Sequence, residues 1–197
     1  MPHRSVSLLR RIRLLAIVAA ILLPLTQSTA QSPGTPAYDV ELVIFRHLGG
    51  GGTPEDWGMI NNHAVTDAES ADPSSAETTF PTLPPERMKL KAIYNALKRS
   101  RGYQPLAHVG WTQPATDRST TRFVSLASLG VDGPVSGRAA LARGRFLHLT
   151  LDLALQIPGE ATRYVLQQTR RMRSTEMHYI DHPRFGVVAL ITPASSG

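Results

Sequence analysis

RFLHLTLDLALQI, residues 145–157, is the stretch that decides the fold. Leu147, Leu149, Leu151, Leu153 and Leu155 recur at every second position, and Phe146, His148, Thr150, Asp152 and Ala154 alternate with them. Period two is the mark of a strand with one buried face; an amphipathic helix needs a period of 3.6. Burial of each leucine stabilises the fold by about 1.5–3 kcal/mol, so this face has to meet another apolar surface. Pro158-Gly159 marks a turn. Residues 163–173 then return as a second strand, forming a hairpin with the first. Tyr164, Leu166 and Gln168 take one side of it, and Arg163, Val165 and Gln167 the other. Met172 falls near the core, with Arg171 and Arg173 opposite.

Downstream the chain reads TRRMRSTEMHYIDHPRFGVVALITP, residues 169–193. Arg170, Arg171, Arg173, Glu176, His178, Tyr179, Asp181 and His182 crowd one short segment. An apolar run, residues 185–191, follows and is bounded by Pro193; it reads as a buried closing strand. A polar cluster tied to a core strand is held in fixed geometry, so this is the expected functional edge. Upstream, residues 38–45 form a first strand with Val40, Leu42 and Ile44 on one face. The other face carries Asp39, Glu41, Val43 and Phe45, polar then apolar, as in an inner strand covered at one end. Residues 84–101 carry a helical stripe of Met88, Leu90, Ile93, Tyr94 and Leu97, with a proline at the start, basic residues in the last turn and Gly102 as the stop. Residues 103–113 alternate so that Tyr103, Pro105, Ala107, Val109 and Trp111 share a face, and Pro105 places the start at a sheet edge. A third strand is expected over 122–127 and a short one around Val135. The resulting fold class is α+β: a mostly antiparallel sheet of five to six strands with one main helix packed on a face.

Four of these segments, in order, resemble the CsiV family of periplasmic cell-shape-integrity proteins. The C-terminal one carries Arg170-Arg171-Met172-Arg173-Ser174, Glu176, His178-Tyr179-Ile180-Asp181-His182-Pro183, Phe185-Gly186-Val187 and Ile191-Thr192-Pro193. The opening strand, Tyr38-Asp39-Val40-Glu41 to Phe45-Arg46, is similar to the family's first strand. Tyr103, Leu106, His108, Trp111 and Gln113 resemble its central segment, and Arg145 to Leu149 with Asp152 and Leu153 its "YLH" strand. The resemblance implies peptidoglycan binding and partnership with an outer-membrane lipoprotein that activates a penicillin-binding synthase. It carries no catalytic residue set.

The first thirty residues have the layout of a secretory signal peptide: Arg4, Arg10, Arg11 and Arg13, an apolar run over 14–25, and Ser28-Thr29-Ala30. A spanning helix needs about 20 apolar residues, and Pro24, Thr26 and Gln27 interrupt this run. Cleavage after Ala30 leaves a flexible leader, 31–37, and a single domain, 38–193, with a long acidic, glycine-rich loop at 47–81. Gly49 to Gly52 are followed by Thr53-Pro54-Glu55-Asp56, which lack the lysine of a phosphate loop. Export predicts a periplasmic protein with no stable membrane insertion. The chain has no cysteine, so neither a disulfide nor a cysteine lipid anchor can form.

The formal charge of +6 includes the four arginines of the leader, so the exported chain carries +2. Residues 31–86 hold nine acids and one base, and residues 87–197 hold sixteen bases and six acids. The basic half suits an anionic partner; export argues against nucleic acid and for cell-wall polymer, lipid head groups or an acidic protein.

Residue chemistry favours binding over catalysis. His148 and Asp152 share a strand face about 13 Å apart, too far for one metal, and no local group supplies the three or four converging ligands of a zinc site. No cofactor is implied, and no nucleophile motif appears. Glu176, Asp181 and Asp152 lie beside arginines, which lower carboxylate pKa values and suit salt bridges better than general-acid work. Arginine forks bind carboxylates in two-point fashion, and Trp111, Tyr103 or Tyr179 are candidates to stack on sugars. The expected binding set is therefore Arg170, Arg171, Arg173, Glu176, His178, Tyr179, Asp181, His182, Trp111, His108 and His148. The alternatives are a cell-wall or metal-dependent hydrolase using the His/Asp cluster, and an adaptor that contacts protein alone.

Overall fold

In the computed structural model, residues 35–49 and 78–194 are described, within one unit spanning Thr35–Gly197. The expected signal segment, most of the leader and most of the 47–81 loop lie outside them. The chain runs β1 (Ala37–His47), α1 (Lys91–Arg99), β2 (Tyr103–Pro114), β3 (Val124–Ser125), β4 (Val135–Arg143), β5 (Leu147–Gln156), β6 (Arg163–Met172), β7 (Met177–His182) and β8 (Phe185–Pro193). Two four-stranded sheets result, ordered β2-β1-β8-β7 and β3-β4-β5-β6. Every strand pair is antiparallel.

The expected single sheet of five to six strands with a main helix is thereby corrected: among the described residues the fold is mostly β, two sheets with one short helix. The physical reason lies in the leucine face. The five leucines of β5 are 0–7% exposed because the second sheet covers them. Val40, Leu42 and Ile44 of β1 and Phe185, Val187, Ala189 and Ile191 of β8 join them in one core. One strand, β7, escaped the sequence reading, and another, β4, extends well beyond the short strand expected around Val135. β4 is rich in alanine and interrupted by Gly137, so it lacks a strong strand signature. β7 hides its alternation behind polar residues, with Ile180 alone buried. Gly137 has φ +119°, and a Cβ there would run into the Asp152 backbone of the neighbouring strand.

α1 is half the expected length. Residues 85–87 form a separate 3-10 turn, and Met88 is extended. The break is where Glu41 reaches in from β1: its carboxylate accepts the backbone N–H groups of Lys89 and Leu90, each at 2.8 Å. These are orphan donors at a helix start, where negative charge is also favoured. Leu90, Ile93, Tyr94 and Leu97 pack on Val43, Val188 and Leu190, on the outer face of the first sheet.

β1 and β2 change register between Ile44 and Phe45: Ala107 pairs with Ile44, but Pro105 pairs with Phe45. Leu106 is the extra residue of a bulge, and a one-residue slip reverses the faces. Ala107, Val109 and Trp111 therefore face the core, while Tyr103, expected on the same side, pairs with His47 on the outer face.

Candidate functional site

The strand pairing divides the predicted binding residues among several places. On the outer face of the β3-β4-β5-β6 sheet, Arg171 lies opposite His148. The Arg171 guanidinium carbon sits 3.3 Å from the centroid of the Phe146 ring, and His148 Nδ1 donates to the Phe146 carbonyl at 3.0 Å. Asp152, further along, accepts from Arg138 Nε at 3.3 Å and from Gln167 Nε2 at 3.1 Å. Arg170 is exposed on β6.

Arg173 was expected on the strand face beside Arg171. It instead belongs to the tight turn into β7, because β6 ends at Met172, which is buried. Thr175 holds φ 68° in that turn. Arg173 and Glu176 approach to 3.6 Å with both side chains more than half exposed, a pairing that contributes little to stability. His178 Nε2 accepts the Arg173 backbone N–H at 3.1 Å, so this histidine pins the turn.

Two residues are internal. Trp111 is 0% exposed and donates through Nε1 to Gln113 Oε1 at 2.8 Å; its ring belongs to the core and offers no face to a sugar. His108 lies between β2 and α1, with Nε2 2.7 Å from Glu41 Oε1 and its ring stacked on Tyr94 at 5.2 Å. Beside it, Asp39 accepts from Arg87 Nε at 3.1 Å and from the Thr112 hydroxyl at 2.7 Å. Glu41 is 3% exposed, and its buried charge is matched by donors on several sides.

The remaining predicted residues, Tyr179, Asp181 and His182, lie on β7. Tyr179 and Asp181 point to the outer face of the β2-β1-β8-β7 sheet, at the end that α1 leaves uncovered. Here the structure assembles an aromatic row in which sequence reading missed Phe45 and His47. Tyr103 meets Phe45 edge-on at 5.3 Å, and Phe45 stacks on Tyr179 at 6.1 Å and 14°. Gly186 lies between Phe45 and Asp181 in the strand pairing. A Cβ at that position would approach Phe45 Cζ and Tyr179 Cε2 to 2.8 Å each, so its bare backbone is what lets the two rings meet. The Tyr179 hydroxyl donates to Asp181 Oδ1 at 2.5 Å. Burial, then this bond to a carboxylate, pushes the phenol pKa well up, so the hydroxyl stays a donor.

His182 points the other way. Its ring packs on Phe185 at 4.7 Å and Tyr164 at 6.3 Å, and Nδ1 accepts the Arg184 backbone N–H at 3.2 Å. Burial lowers its pKa, His47 and Arg184 lower it further, and Asp181 opposes them. Arg184 also holds both oxygens of Glu160, at 2.9 and 3.1 Å, tying the β7–β8 turn to the β5–β6 turn. Among the described residues, no three His, Asp or Glu side chains converge as metal ligands.

A family model described as "Peptidoglycan-binding protein, CsiV" matches residues 13–194, most of the chain. No curated protein and no solved structure matches.

Proposed function

The chain belongs to the CsiV family of peptidoglycan-binding proteins, and from that premise we propose that it is a non-enzymatic periplasmic protein that binds peptidoglycan and assists wall synthesis. It does so through an outer-membrane lipoprotein that activates a penicillin-binding synthase, the step that the resemblance to the family implies. The observation that carries the reading is the family match over residues 13–194. The disposition of charge supports it. Arg170, Arg171 and Arg173 are exposed along β6 and the turn after it, and together they offer an attractive field to an anionic polymer. The carboxylates held in place are committed to partners: Asp39 to Arg87, Glu41 to backbone N–H groups, Asp152 to Arg138 and Glu160 to Arg184. Carboxylates so engaged serve structure, which favours a binder over a hydrolase.

The test is co-sedimentation of the purified protein with isolated sacculi across a salt series. Binding that weakens as salt rises is expected, because screening shortens the reach of the arginine field. Absence of co-sedimentation at low salt would remove the peptidoglycan reading and leave the protein adaptor.

A further inference from the structure

The uncovered end of the β2-β1-β8-β7 sheet holds two large aromatic side chains in the open, Tyr103 at 42% and Tyr179 at 46% exposure. Exposed tyrosines scattered singly need no explanation. These are not scattered: both pack against one buried ring, Phe45, which is 3% exposed. Each is therefore held upright in a fixed position, and ordering them on binding costs little conformational entropy. Beside them Asp181 presents a carboxylate whose side chain is 63% exposed. One of its oxygens takes the Tyr179 hydroxyl, which orients the group and leaves acceptor capacity for an incoming donor. His47 Nε2 lies 3.9 Å from the same Oδ1 atom and has no hydrogen-bond partner among the described residues.

We infer that Tyr103 and Tyr179, braced by Phe45 and flanked by Asp181, form a subsite for an N-acetylated sugar ring of the peptidoglycan glycan strand. The inference rests on the peptidoglycan reading and adds where the saccharide, as distinct from the stem peptide, is held. A pyranose ring has an apolar C–H face and a rim of hydroxyl and acetamido donors. The face gains dispersion contacts against an aromatic ring; the rim needs a fixed acceptor beside that ring. An oriented carboxylate beside exposed tyrosines supplies both. A protein partner fits the same patch less well, because the core of a protein interface is depleted of charged groups, and here a charge sits among the rings.

The test uses the whole protein with two probes: sacculi stripped of stem peptides by an amidase, and a soluble β-1,4-linked N-acetylglucosamine tetramer followed by tyrosine NMR shifts. Wild type is expected to bind peptide-free strands with little salt dependence. The double variant Tyr103→Ala/Tyr179→Ala should bind them roughly tenfold more weakly or worse. Asp181→Asn should weaken binding while leaving the rings in place. Both tyrosines are substantially exposed, so folding is expected to survive, and circular dichroism provides the control; Tyr179→Phe, which keeps the ring but loses the hydroxyl that orients Asp181, should bind more weakly than wild type and more tightly than the double variant. A folded double variant that binds peptide-free strands like wild type overturns the subsite. So does a wild type that binds intact sacculi but no peptide-free glycan, an outcome that spares the peptidoglycan reading. A protein that binds neither removes both. A double variant that keeps glycan binding and loses a protein partner reassigns the patch to protein docking.

Discussion

Glu41 Oε1 accepts the backbone N–H of Leu90 at 2.8 Å, so a carboxylate on the central strand β1 sets where helix α1 begins. The same carboxylate takes the Lys89 N–H and lies 2.7 Å from His108 Nε2. Glu41→Ala strands these donors, the Leu90 N–H in a buried position and the others part-buried. The expected loss is about 3 kcal/mol of unfolding free energy, and Glu41→Gln, which keeps an acceptor, should lose less. Urea titration followed by tryptophan fluorescence measures both. An alanine variant as stable as wild type would mean that α1 is held by its apolar stripe alone.

The strict alternation of β5 makes a paired prediction. Leu153 is 0% exposed, and its truncation to alanine should cost about 2–5 kcal/mol. Thr150 lies on the outer face, bonded to Thr169 at 3.0 Å near solvent. Thr150→Ala is expected to stay within about 0.5 kcal/mol. Similar losses at the two positions would contradict the assigned faces.

His182 predicts a pH dependence. Its folded pKa is lowered from 6.5, chiefly by burial. The unfolded chain therefore takes up the proton first, and the native contribution is fully present above about pH 6.5 and declines as pH falls from there toward the folded pKa. Protonation also turns Nδ1 from the acceptor of the Arg184 N–H into a donor. His182→Asn keeps an acceptor without the titration. Unfolding free energies at about pH 7.5 and about pH 5 should differ less in the variant than in wild type; an unchanged difference would assign the slope to other groups.

The arginine field makes a prediction that is separable from the aromatic subsite. Arg170→Glu and Arg171→Glu together should flatten the salt dependence of sacculus binding and lower affinity at low salt, with little effect near 1 M salt, where the Debye length is about 3 Å. Arg171→Glu also removes the contact with Phe146, so Arg171→Met, which keeps the stem, separates packing from charge. A salt slope unchanged by both reversals would place the attraction elsewhere on the protein.

Most strands were legible because their residues carry the pattern locally. β5 shows five alternating leucines, β8 is a continuous apolar run, and β1 separates Val40, Leu42 and Ile44 from Asp39 and Glu41. The short helix was legible in its stripe but not in its length, since nothing in residues 84–90 announces that Glu41, 49 positions earlier than Leu90, will cap it. Phe45 and His47 are not legible as site residues for the same reason: each reads as the end of a strand until Tyr103 and Tyr179 arrive beside it.

The residues by themselves determined the leucine face, the antiparallel hairpin of β5 and β6, the inner position of β1 and the motifs that place the chain in its family. Tertiary structure alone decided that the strands divide into two sheets, that Trp111 belongs to the core, and that Tyr103 joins Tyr179 outside. The reason is that a side chain's face is set by its pairing partner as well as by its own parity. One bulge at Leu106 shifts the register between Ile44 and Phe45, and that shift parts Tyr103 from the face of Ala107, Val109 and Trp111 and makes it part of an exposed aromatic surface.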